Sequence, residues 1–397
     1  MKKIVLTLAT ALVVGWANAV PSVSGVVLKG GTGRRVRVVY ELNEAAVVTA
    51  RFKVNGQWLP GEKVTALSGD VCCKVAATAP GETRQFSWRF ADEPWFGELG
   101  GEPVSAEVEL TAWATDAPPD YMAIGLESPY AVRYYADAAS VPGGVTDLRY
   151  KTTQILLRKI PAAGVEWCMG TSAFDRSNAD CGRGHPVVLT RDYYMAVYET
   201  TQKQMFLIGS FRSGGGPKTD EDPDTLPANG AVMENVRGVG ATPTEGSYVG
   251  RLIANCHVTS LDLPTEAQWE FAARAGSGSY VCGGSIAAEV NKRAWTSSNN
   301  SSKIHAVGTR EPNAFGLYDM FGNLWELCLD VFAPYSFAEG ETSVDPLALT
   351  DGATCVGRGG GYANTSDYAG SAVRVTRSPK SNGWDYGYRL CCDAVAY

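Results

Sequence analysis

The stretch Pro312–Leu327, PNAFGLYDMFGNLWEL, decides how the rest of the chain is read. It is neither a clean helix nor a clean strand. Gly316 and Gly322 interrupt an aromatic run of Phe315, Tyr318, Phe321 and Trp325, among which Asn313, Asn323 and Glu326 are interspersed. Glycine permits tight turns that strain other residues, and the aromatics supply large buried area. The pattern describes a compact, irregular core segment that places Asn323 and Glu326, although asparagines also cap turns for purely local reasons.

Outward from that segment, 397 residues predict two or three domains. Hydrophobic content of 45% and charged content of 19% describe a globular chain, while 44 glycines and 20 prolines imply many turns and few long helices. A net charge of −7 argues against the basic face that nucleic-acid binding requires. Residues 1–19 have the form of a signal peptide: Lys2 and Lys3, an apolar run from Ile4 to Trp16, then Ala17-Asn18-Ala19. The expectation is an exported protein of bacterial type, periplasmic, secreted or on the cell surface, with no membrane insertion after cleavage. Outside the cytoplasm the ten cysteines (72, 73, 168, 181, 256, 282, 328, 355, 391 and 392) predict structural disulfides. None has the C-x-x-C spacing of a thiolate metal site.

Residues 20–117 alternate in the manner of strands: Val26–Leu28, Arg35–Tyr40, Val47–Val54, 85–90 and 105–115, with a hairpin signal at Asn55-Gly56. Five strands without a helix signal predict an all-β, immunoglobulin-like sandwich. Residues 118–150 are read as a connector, and 151–397 as a second, α+β domain with little regular secondary structure. Within it, Thr201 with Gln204 and Thr265 with Gln268 form capping boxes that start helices.

Ordered motifs give the second domain a resemblance. The GLYDM…GN-x-WE run at 316–326, LPTEAQWEFAARAG at 263–276, RGGGY at 358–362, GYRL at 387–390 and EWCMG at 166–170 resemble the formylglycine-generating enzyme (sulfatase-modifying factor) family. The resemblance spans about 150 to 397 and implies a variant of the C-type lectin fold. In oxidase members two cysteines after the arginine–glycine motif hold copper(I), because thiolates select that soft ion. Here those positions are Asn364 and Ala369 (or Gly370, with an insertion), so copper is not expected and no catalytic residue is assigned. The family's iron-dependent branch needs clustered histidines, and the chain has only His185, His257 and His305. A family disulfide falls on Ala273 and Leu390. Structural calcium is the cofactor the resemblance leaves, through the hard oxygens of Asn323 and Glu326. The alternative gives Glu326 to Arg358 or Arg389, which with Arg374 and Arg377 form a buried polar scaffold.

Two loops, YANTSDY at 362–368 and SNGWDYGY at 381–388, combine aromatic, amide and acidic side chains in the manner of paratopes. Tyr362, Asn364, Asp367, Tyr368, Asn382, Trp384 and Tyr386 are therefore the candidate ligand contacts, for a protein or glycan partner, although polar glycine-rich loops need no such explanation. The expected function is that of a binding module lacking oxidase activity. The alternative is a sulfatase-maturing oxidase whose metal site has moved to Cys355 or to Cys391 and Cys392.

Overall fold

Period-two alternation in the first hundred residues becomes two β-sheets. The computed structural model describes residues 4–6, 10–13, 20–30, 35–99, 104–171, 184–209, 221–238, 240–277, 287–337, 340–349, 354–380 and 383–397. It divides into two units, and the first comprises Met1–Ala123, Val132–Asp147 and Ala394–Tyr397. In this unit β1 (Val23–Gly30), β2 (Val36–Leu42), β7 (Arg84–Trp88) and β5 (Leu67–Gly69) pair in that order. The other sheet joins β8 (Val104–Ala114) to β3 (Ala46–Val54), which also pairs with β4 (Gln57–Trp58) and β6 (Cys73–Val75). Asn55 and Gly56 both have positive φ, as a two-residue hairpin between β3 and β4 requires. Residues Ile4–Leu6 and Thr10–Val13, inside the expected leader, run parallel beside β8.

One apolar cluster draws on both sheets: Val38, Tyr40, Phe86 and Trp88 from one, Val48, Phe52, Val108 and Leu110 from the other. Burying each such side chain contributes roughly 1.5–3 kcal/mol. Inside this core sits a carboxylate. Glu93, 3% exposed, accepts from Thr65 N, Thr65 Oγ1, Ala66 N and Trp88 Nε1 at 2.8–3.1 Å. The last four residues return to this unit: Ala396 N donates to Thr115 O (2.7 Å), Lys74 Nζ to Ala396 O (3.0 Å) and Tyr397 N to the Tyr134 hydroxyl (2.9 Å).

The second unit comprises Ile124–Ala131 and Leu148–Asp393. Antiparallel β9 (Gln154–Ile160), β12 (Tyr193–Ala196) and β20 (Cys391–Asp393) form one of its sheets. β10 (Glu166–Met169), β11 (His185–Val188) and β16 (Ser343–Val344) form a second. The sheet that carries the site orders β18 (Arg374–Arg377), β17 (Cys355–Arg358), β15 (Trp325–Val331) and β19 (Tyr386–Gly387). A parallel pair, β13 (Ala294–Trp295) with β14 (Phe321–Gly322), lies beside the organising segment. Helices are short. α1 (Gln202–Leu207) starts on the Thr201/Gln204 capping box; α2 (Met233–Val236) and α3 (Tyr248–Cys256) follow. α4 (Glu266–Arg274) starts on the Thr265/Gln268 box and stops at left-handed Ala275 and Gly276; α5 is Ala287–Arg293.

The cysteines differ from expectation. All eight in the described residues are free thiols, and Cys181 and Cys282 lie outside those residues. Neighbours along a strand point to opposite faces, so Cys391 and Cys392 cannot share one environment. Cys391 Sγ lies against Gln268 Oε1 (3.5 Å), and burial pushes both thiols well above the ordinary thiol range. They pack as small apolar side chains.

Replacing Glu93 by alanine strands at least three donors in the core of the first unit. The expected loss is about 2–4 kcal/mol of unfolding free energy in urea titration of the full chain, with a smaller loss for Thr65→Val. A Glu93→Ala loss no larger than that of a surface glutamate would mean the clamp is not structural.

Candidate functional site

The site stands on a layer of buried ion pairs. Arg358, Arg374 and Arg389 are each at most 1% exposed. Arg374 makes a bidentate pair with Glu266 (2.8 and 2.7 Å) and donates to Ala333 O (2.8 Å). Arg358 bonds Glu270 through Nη2 and donates Nη1 to Ser371 O (2.7 Å) and Val373 O (3.0 Å). Its Nε lies 3.0 Å from Glu266 Oε1, an ion-pair contact whose N–H is not aligned as a hydrogen bond. Arg389 clamps Glu326 at 2.7 and 2.6 Å, and Trp269 Nε1 donates to the same carboxylate at 2.7 Å. Helix α4 thus presents Glu266 and Glu270 on one face, while β15 presents Glu326.

Asn323 does a different task. Its side-chain NH2 donates to Glu199 Oε2 (2.7 Å) and His305 O (3.1 Å), and its Oδ1 accepts from His305 N (3.0 Å). Asn323 and Glu326 were expected to offer oxygens to calcium. Instead a guanidinium and an indole N–H take the Glu326 oxygens, and Asn323 is saturated by protein, so this pair does not fit a dication. Of the two readings of Glu326, the geometry builds the pair with Arg389. Among the described residues no group of three or more His, Cys, Asp or Glu is arranged to hold a metal.

Over this layer lies Trp325, the first residue of β15. Its indole Nε1 donates to Asn364 Oδ1 (2.8 Å), which also accepts from Gly361 N (3.0 Å). Tyr368 meets Trp325 edge-on with centroids 6.2 Å apart, and Tyr386 stacks at 6.3 Å and 16°. Arg377 sits 4.1 Å over the Tyr386 ring and pairs with Asp385 at 3.2 Å. Tyr362 is held by its N–H to Asn323 O (2.7 Å) and by Asn300 Nδ2 on its carbonyl. The arginine–glycine motif explains itself here. A Cβ on Gly359 would meet Met320 O at 2.9 Å, one on Gly360 would meet Tyr368 O at 2.9 Å, and one on Gly361 would meet Trp325 at 3.0 Å. Three consecutive glycines allow three separate close approaches.

The structure therefore gathers Asn364, Tyr368 and Tyr386 around Trp325, whereas Tyr362 packs half-buried against Leu226, Ile304 and Leu324; Asp367 and Trp384 are exposed, Trp384 at 47%. Tyr386 is buried at 3% and serves as a pedestal, not a contact. Asn382 lies outside the described residues. Sequence reasoning placed Trp325 in the aromatic run without assigning it to the site. It also left out Asp385, and assigned Arg377 to the buried scaffold only. The signal available for Trp325 was its place next to Glu326, which points the opposite way along β15.

The two positions the resemblance marks for copper ligands hold an amide oxygen committed to Trp325 and, at Ala369, a methyl group 1% exposed. That donor set does not fit a soft monovalent ion. Nor is Cys355 poised as a ligand: burial pushes it up to about 11, and its Sγ contacts Arg377 O at 3.4 Å. The histidines have packing roles. His185 stacks on Phe337 (4.3 Å, 7°), His305 on Trp295 (3.7 Å, 19°), and His257 is the left-handed cap of α3.

Comparison with known proteins fits this geometry. Residues 163–394, more than half the chain, match the family model described as "Sulfatase-modifying factor enzyme 1-like domain". The formylglycine-generating enzyme of Streptomyces coelicolor is 35% identical over 147 residues, 33% of this chain and 46% of that protein. The serine/threonine-protein kinase pkn1 of Chlamydia pneumoniae is 34% identical over 131 residues, 32% of this chain and 20% of the kinase. The match thus covers under half the length of either relative. Among solved structures, Treponema denticola variable protein 1 superimposes with a TM-score of 0.52 at 24% identity, covering 61% of this chain and 96% of that one. At that identity the likeness is one of fold.

Beside the ion-pair layer, burial raises Asp319 from 3.8 to about 6. The Gly308 N–H, Arg389 and Lys151 oppose that rise, and Glu326 adds to it. A carboxyl whose folded pKa exceeds its unfolded value binds more protons when folded, so stability falls as pH rises from about 4 to about 6 and the loss persists above. Asp319→Asn keeps an acceptor for Gly308 N and removes the charge. Its expected effect is to flatten the fall in unfolding free energy between pH 4 and 7 by about 1–3 kcal/mol. Parallel pH profiles for the variant and the parent would refute this.

Proposed function

The chain belongs to the sulfatase-modifying factor enzyme 1-like family, and on that premise we propose that it is an exported recognition module, not a cysteine oxidase. The observation that carries this reading is the employment of Asn364. The position that resemblance marks for a copper-binding thiolate instead supplies the hydrogen bond that fixes Trp325 within a cluster of tyrosines. A side chain needed for packing is not free to serve redox chemistry, and its partner position, Ala369, is buried. Asp367 and Trp384 are exposed, and Tyr362 and Tyr368 are half-buried, on loops tied to the layer below. Aromatic contact area at low entropy cost over a pre-organised base is what a binding surface requires. The ligand is a protein or a glycan.

The leader-like residues 1–19 support export to the periplasm, cell surface or medium. The all-β first unit is read as an immunoglobulin-like sandwich that serves as spacer or second contact.

Two experiments test the reading. Protein loaded with copper(I), under oxygen and a thiol reductant, is mixed with a Cys-x-Pro-x-Arg peptide and followed by mass spectrometry. No aldehyde is expected beside an active control enzyme; aldehyde that disappears in Cys355→Ser or Cys391→Ser would establish a relocated oxidase site. Second, binders are selected from a glycan array and a displayed-peptide library. Tyr362→Ala, Tyr368→Ala and Trp384→Ala should each weaken their capture at least about tenfold, a hot-spot-sized effect, with little change in melting temperature. Unchanged capture by all three would remove this surface from the argument.

A further inference from the structure

Among the described residues Arg310 makes no direct hydrogen bond or ion pair, and the Asp319 carboxylate reaches it only through its field. Its guanidinium lies 3.6 Å over the Trp295 ring, and no hydrogen bond or ion pair reaches it; Nε is buried without a partner. Of the acidic groups nearby, only Asp319, whose Oδ1 has no hydrogen-bond partner, acts on Arg310, and it does so through its field and not by direct contact. Glu221 bonds His305 Nδ1 (2.5 Å) and Ala306 N (2.5 Å). Glu311 leans toward Arg293 at 3.8 Å, and Asp319 accepts from Gly308 N at 2.6 Å. Across the same surface Arg377 is treated differently, since it has Asp385. A partly buried cation without a direct partner carries a desolvation cost that a bound anion would offset.

The platform is stiff. His305 stacks on Trp295 at 3.7 Å, and two groups that close to one ring must occupy opposite faces, so Trp295 is held between imidazole and guanidinium. The indole Nε1 donates to Thr309 Oγ1 at 2.9 Å, fixing its rotation. A guanidinium laid flat on an indole keeps its in-plane N–H groups directed outward, which suits the planar, two-oxygen geometry of an oxyanion. This platform adjoins the aromatic loops. Trp295 O accepts from Asn323 N (2.9 Å), Asn323 O accepts from Tyr362 N (2.7 Å), and Ser297 N donates to Asn364 O (2.9 Å).

We infer that Arg310, held on Trp295, is an oxyanion subsite at the edge of the recognition surface, taking a carboxylate or sulfate of the ligand through its Nη groups. The inference deepens the binding reading and rests on it for the identity of the surface.

The test uses the full chain labelled with nitrogen-15. The Arg310 Nε–H signal, identified by its loss in Arg310→Lys, is followed while sodium sulfate and sodium acetate are titrated separately at constant ionic strength. A saturating shift is expected with at least one of them. A preference for sulfate points to a sulfated ligand, and a preference for acetate to a carboxylate of a peptide or acidic sugar. Trp295→Ala should weaken the saturating response about fivefold or more, about the size of one cation–π contact. A linear response matching that of exposed Arg35 would overturn the subsite. So would a signal that ignores both anions and moves only in Asp319→Asn, which would make Arg310 a solvent-bridged partner of that carboxylate. Saturation at Arg310 alongside unchanged capture by the Tyr362, Tyr368 and Trp384 variants would retain the subsite and discard the aromatic surface. The reverse pattern would discard the subsite alone.

Discussion

Three guanidinium groups without access to water constrain the second unit more than any apolar contact does. Arg358, Arg374 and Arg389 can be buried only because Glu266, Glu270 and Glu326 arrive in register to meet them. A buried pair does not surpass a good apolar packing in net stability, but removing one partner strands a charge at a cost of about 3–5 kcal/mol. The arrangement therefore acts through intolerance. Helix α4 must lie where two of its carboxylates face two arginines on β17 and β18, and β15 must turn Glu326 inward toward Arg389. Once that register is set, the alternation of β15 leaves Trp325 on the other face.

The loops above inherit their order from this layer. A unit with so little helix has few long-range periodic contacts to hold its surface. Short polar ties do this instead: Asn323 to Glu199 and His305, Asn364 to Trp325, Asn300 to the Tyr362 carbonyl. Each spends a side chain on positioning the backbone. The half-buried rings of Tyr362 and Tyr368 and the exposed ring of Trp384 thus sit on loops whose conformations are determined from below.

How much of this was legible in the sequence depends on whether the cause was local. Both capping boxes appeared as predicted at Thr201 and Thr265, because a cap is decided by four consecutive residues. The strands of the first unit appeared close to their expected limits, since alternation against one apolar face is also a local pattern. The family followed from motifs with fixed spacing. The partners of Glu326 and Asn323 were not legible, because oxygen donors three residues apart look alike whether a cation or a guanidinium meets them. That choice is made by Arg389, 63 residues later. The Arg310–Trp295–His305 stack was illegible for the same reason, as nothing in the spacing of those residues requires their rings to meet. The expected disulfides are not seen among the described cysteines, which are free, since compartment alone says which chemistry is allowed and not which thiols meet.

The return of Ala394–Tyr397 to the first unit has a consequence in time. A ribosome releases the strands of that unit first, yet the residues that bond Thr115, Lys74 and Tyr134 are made only after the whole second unit. During synthesis the first unit can collapse around Trp88 and Phe52 but cannot complete its hydrogen bonds. The second unit thus folds as an insertion between two parts of a structure still awaiting closure. Four peptide bonds carry the chain from Asp393, the end of the last strand of one unit, to Tyr397 and the last of these contacts in the other, so the first unit is closed only once the second has been made.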